Sequence, residues 1–68
     1  MIRLEYEMRE RGKSQAALAE ETGINRVIIN KIIRGHEKPW PKWRDALAQA
    51  LGWPLENAAD LFEEIEVQ

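Results

Sequence analysis

Apolar positions in this chain recur three and four residues apart, and short glycine- or proline-containing breaks interrupt them. Alternation with a period of two is nearly absent, so the pattern predicts helices and no sheet. The first helix covers about 2–11, with Leu4 and Met8 on one side and a stop at Gly12. Ser14 is a good N-cap for a second, which runs to about Thr22 with Ala17, Leu18 and Ala19 as its small apolar side. Asn25 caps a third helix, which runs to Arg34 and ends at Gly35. "HEKPWP" reads as a loop, because Pro39 and Pro41 exclude a helix interior. Pro41 nevertheless suits the first position of a fourth helix, running to about Leu51 with a stripe of Trp43, Leu47, Ala50 and Leu51. Pro54 opens a fifth, short helix over about 55–64, carrying Leu55, Ala58, Ala59, Leu61 and Phe62. The closing "EIEVQ" either frays or extends it. The expected fold class is all-α, a compact five-helix domain over residues 1–68.

The break inside "SQAALAEETGIN" sets the relation between the second and third helices. Two helices joined by a turn of three to four residues containing glycine form a helix-turn-helix, here over about 14–35. Ala19 must be small where the third helix crosses close above it. Gly23 can take the left-handed conformation that turns the chain sharply. Ile24 fills the corner, and Ile29 and Ile32 press the third helix onto Leu18. Ile24, Ile29, Ile32 and Ile33 then look inward, whereas Asn25, Arg26, Val27, Asn30, Lys31 and Arg34 look outward or forward. Arg and Asn are the side chains that read guanine and adenine edges with two hydrogen bonds, and Val27 can pack on a thymine methyl. Lys31 and Arg34 are better placed for phosphates.

Charge changes the picture. The net charge of −2 argues against a nucleic-acid partner, yet all ten Lys and Arg lie in residues 1–44, against six acids there. Residues 45–68 carry six acids and no base, so a basic front of +4 is followed by an acidic tail of −6. The tail reads as a solvated face away from DNA. No cysteine is present, which fits a reducing, cytoplasmic compartment. His36 alone and scattered carboxylates offer no metal-ligand cluster, and no cofactor is expected. No apolar run approaches the ~20 residues of a membrane span. Ser14 has no histidine near it by spacing, so no nucleophile and base can be assembled and no enzyme is expected.

The residues now assembled resemble a known family: the helix-turn-helix domains of phage Cro and repressor proteins and the Xre-like bacterial regulators. The likeness runs over "RGKSQAALAEETGINRVIINKIIRG", the "KP…LAQALGW" of the fourth helix and "ADLF", nearly the whole chain. Its specific elements are Ser14-Gln15, Leu18-Ala19, Gly23-Ile24, Ile29, Ile32 and Arg34-Gly35. The resemblance implies that Gln15 bonds a phosphate and braces the recognition helix, and that Arg26, Val27 and Asn30 read bases. It implies a phosphate clamp at Lys38 and places Lys42 toward the central minor groove. Two positions depart from the family pattern. Met8 and Ile33 stand where many relatives pair an Arg with a Glu, an exchange that is often neutral or stabilising when buried. Ile28, usually small or polar in relatives, either packs under Trp40 or is exposed.

The expected function is sequence-specific binding of double-stranded DNA by a small transcriptional regulator, with Ser14, Gln15, Asn25, Arg26, Val27, Asn30, Lys31, Arg34, Lys38 and Lys42 at the DNA. A weak homodimer on a palindromic operator is expected, joined through helix five and the tail with Phe62 or Ile65 near the centre. The plainer reading of Leu61 and Phe62 is that they close the monomer core. Trp43 is expected in the core with Trp40 and Trp53 covering its edges, and His36 is an exposed loop residue. The rival function is a protein-interaction module of antitoxin or polymerase-binding type. An architectural role in excision or recombination is a variant within DNA binding.

Overall fold

A computed structural model describes residues 1–67 of the chain. Its elements are α1 (Arg3–Glu10), α2 (Gln15–Thr22), α3 (Arg26–Ile33), α4 (Pro41–Ala50) and a 3₁₀ segment, Leu55–Phe62. Each α-helix stands where the sequence pattern puts it, and the starts of α2, α3 and α4 have local causes. Ser14 Oγ accepts from Ala17 N–H (3.0 Å), and Asn25 Oδ1 accepts from Val27 N–H (2.7 Å), so both predicted caps satisfy a backbone donor the helix leaves unpaired. Pro41 occupies the first turn of α4.

The core takes one large, fully buried side chain from every element: Leu4, Leu18, Ile29, Leu47 and Leu61. Each stabilises the fold by ~1.5–3 kcal/mol relative to exposure. Ile2, Met8, Ile24, Ile32, Ala48, Leu51 and Ala58 complete the buried set. Ile2 and Ala48 do not stand out in the sequence pattern. α2 packs on α3 and α4, while the 3₁₀ segment packs on α4 and α1. Met8 is buried and Ile33 is half-buried, both packed on the same core. Ile28 is half-buried against the core, not an exposed apolar residue.

Three expectations need correction. The fifth helix is not α-helical: it is a 3₁₀ segment ending at Phe62, with Asn57 off helical geometry at φ −113°, ψ 18°. Ala58 and Leu61, three residues apart and so on one face of the 3₁₀ winding, are buried, whereas Leu55, before the kink at Asn57, and Ala59 are exposed. Trp40 does not cover the core; it is 64% exposed and meets Trp43 edge-on, with ring centroids 6.4 Å apart. Trp43 and Trp53 do pack against the core. The tail neither frays nor extends the helix but runs antiparallel to the N-terminal residues, with an isolated bridge between Ile2 and Glu64. Arg3 N–H donates to Glu63 O and Ile65 N–H to Met1 O, both at 2.9 Å. Gln68, the last residue of that tail, lies outside the described residues.

Candidate functional site

The corner between α2 and α3 is locked by three residues in a row. Gly23 sits in the left-handed region at φ +76°, where its N–H closes α2 on Ala19 O at 2.9 Å. Thr22 Oγ1 donates to Leu18 O (2.6 Å) and accepts from Ile24 N–H (3.1 Å), spanning the turn. Ile24 is buried beneath it. The hydroxyl of Thr22 is a part the sequence reading passed over. A threonine just before a C-terminal glycine was the available signal, because its side chain can bond the backbone on both sides.

This corner fixes which side of α3 faces out. Ile29 and Ile32 are buried, while Arg26, Val27, Lys31 and Arg34 are exposed and Asn30 is half-exposed. Val27 is 60% exposed, which puts an apolar contact on the outer face of α3. Ser14, Gln15 and Ala16 at the start of α2 line one surface concavity with Arg26, Val27 and Asn30. Across it, Asn30 Nδ2 donates to Gln15 Oε1 at 3.3 Å. A hydrogen bond therefore ties the first residue of α2 to the outer face of α3. It also orients Asn30, whose side-chain oxygen is left for another partner. Asn25 sits at the mouth of the same helix with its side chain occupied by capping. Lys38 and Lys42 are exposed on the loop after α3 and the first turn of α4.

Electrostatics divide the basic residues into two groups. Arg3, Arg9, Arg11 and Lys13 all pair with carboxylates of the chain: Arg3 and Arg11 with Glu7, Arg9 with Glu5, and Lys13 with Glu21. Arg11 Nε and Lys13 Nζ also donate to the terminal carbonyls of α4, at Leu51 (3.0 Å) and Ala50 (2.7 Å). Cations there complement the negative end of the helix dipole and satisfy carbonyls the helix leaves open. Among the described residues, the six cations of the stretch 26–44 form no ion pair. One of them, Arg44, was not among the expected site residues. The free positive charge is thus concentrated on α3, the loop after it and the start of α4.

The acidic tail is held elsewhere, against the N-terminus and α1. Tyr6 on that side lines a second concavity with Glu66 and Val67, and its phenol is held above its ordinary value by hydrogen bonding to Glu10. Among the described residues no cluster of His, Cys, Asp or Glu could hold a metal ion. Nor is any helix among them long and apolar enough to cross a membrane.

A family model described as helix-turn-helix matches residues 4–42, more than half of the chain, and takes in α1 to the first turn of α4. No curated protein and no solved structure matches.

Proposed function

Since the chain belongs to the helix-turn-helix family, we propose that it is a transcriptional regulator that binds double-stranded DNA and reads its sequence with α3. The observation that carries this reading is the concavity shared by the start of α2 and the outer face of α3, where Gln15, Arg26, Val27 and Asn30 converge. A helix in the major groove needs side chains that can bond base edges, an apolar contact for thymine, and donors to phosphates on either side. Arg26 and Asn30 supply the first, Val27 the second. Ser14, Gln15 and Asn25, at two helix starts, supply backbone and side-chain polar groups for the strand. Lys31, Arg34, Lys38 and Lys42 supply charge, and none of them is tied up by a carboxylate among the described residues.

α3 is eight residues long, about 12 Å of helix, and so reaches only a few base pairs. Two copies on a two-fold site, with recognition helices ~34 Å apart, would give the contact that specific regulators ordinarily need. The exposed apolar residues Leu55 and Val67, on the 3₁₀ segment and tail, suit the joining surface. Phe62 suits it less, since it already packs on the core of its own chain. A cytoplasmic or nucleoid location goes with this reading.

Selection of duplexes bound by the chain from a random pool tests it. The expected result is enrichment of a two-fold symmetric sequence with half-sites one helical turn apart. A pool that stays random after repeated rounds contradicts sequence reading.

A further inference from the structure

Trp40 is 64% exposed, which leaves most of an indole in water, free to pack on a partner. It is also firmly presented. Pro39 and Pro41 restrict the backbone on both sides, and Trp43, packed against the core, meets the Trp40 ring edge-on at 6.4 Å. The ring lines one concavity with His36, Glu37, Lys38 and the two prolines. Glu37 is the carboxylate of this loop and is half-buried, whereas Lys38 and Lys42 are exposed and unpaired among the described residues. An exposed indole that shares a concavity with the unpaired Lys38 and is followed two residues on by the unpaired Lys42 is complementary to a chain of alternating phosphates and apolar sugars.

We infer that Trp40 is a DNA-contact residue outside the base-reading helix: its indole packs on a deoxyribose of the strand whose neighbouring phosphates Lys38 and Lys42 neutralise. This rests on the proposal that the chain binds duplex DNA. A sugar is the fitting target because duplex bases are stacked, and exposing one for the indole costs a few kcal/mol. A sugar contact carries no sequence information and no charge, so it has its own signature. It strengthens every duplex alike and leaves the salt dependence untouched.

The test compares Trp40→Ala, Trp40→Phe and Lys38→Ala with the unaltered chain on a selected and a random duplex across a salt series. Trp40→Ala is expected to weaken both duplexes by about tenfold at an unchanged salt slope, and Trp40→Phe to lose less. Lys38→Ala is expected to reduce the slope by about 0.9. Acrylamide quenching of tryptophan fluorescence gives an independent reading. DNA should shield the unaltered chain more than Trp40→Phe, a variant that keeps a ring and the fold. Full affinity and unchanged shielding without Trp40, while the unaltered chain still binds, overturn this inference alone and leave the indole for a protein partner. A loss confined to the selected duplex also overturns it, because the residue would then be reading bases. Failure of the unaltered chain to bind any duplex overturns the proposed function itself, and this inference with it.

Discussion

Gly23 shows how much of the site depends on one residue. Its φ of +76° directs α3 across α2, and a β-carbon placed there would meet nothing within 4 Å. Any cost of substitution is therefore in the backbone, not in crowding. Gly23→Val should destabilise the domain by about 1–3 kcal/mol, because a β-branched residue is strained in the left-handed region. Urea unfolding measures this, and an unchanged midpoint would mean that the turn tolerates another geometry. The same residue shows what the sequence made legible. Glycine four positions after a small helical residue is a local signal, as are the Ser14 and Asn25 caps, and each depends on neighbours along the chain. Thr22 was less legible because its hydroxyl bonds Leu18 O and Ile24 N–H together, a role visible only once the turn is formed. The Gln15–Asn30 bond joins residues fifteen apart on different helices, and the family resemblance, not spacing, pointed to it.

Among elements, α4 depends on the loop between α1 and α2 for its C-terminal end. Lys13 bridges Ala50 O and Glu21, and Arg11 bridges Leu51 O and Glu7. Counted from the sequence alone, these two cations belong to the basic front and look available to a polyanion. In the fold they are structural, holding α4 against α2 and the chain leading into it. Lys13→Met should lower stability by about 1 kcal/mol and leave the salt dependence of DNA binding unchanged. Thermal melting and a binding salt series check the two halves of that statement, and a reduced salt slope would return Lys13 to the DNA surface. The fifth element was the least legible. Its apolar spacing fits a helix, but "WPLENAADLF" is too short to decide between α and 3₁₀ winding. Asn57 leaves helical geometry, where its backbone carbonyl accepts from Trp53 Nε1 at 2.9 Å. The pairing of the tail with residues 1–3 joins the two ends of the chain, and nothing in local periodicity signals it.

For the whole molecule, the net charge of −2 conceals an ordered division. Four cations are paired within the fold, six remain on one continuous stretch, and Glu63, Glu64 and Glu66 are held on the side of the N-terminus and α1. Counterion release should reflect the six and not the ten. The logarithm of the binding constant should fall with the logarithm of salt with a slope no steeper than about −5.4 per protomer bound. A slope approaching about −9 would mean that the paired arginines and Lys13 leave their carboxylates to reach DNA.

The most direct test of the central claim, that the outer face of α3 reads bases, is the affinity of Arg26→Ala for a selected duplex and for a random one at the same salt concentration. Arg26 is exposed, unpaired among the described residues and on the shared concavity, so its loss should leave the fold intact. A loss of ~1–3 kcal/mol is expected on the selected duplex, with one base position relaxed. On the random duplex only the small weakening from losing one charge is expected. Equal losses on both duplexes would contradict base reading by Arg26 and reduce α3 to an electrostatic contact.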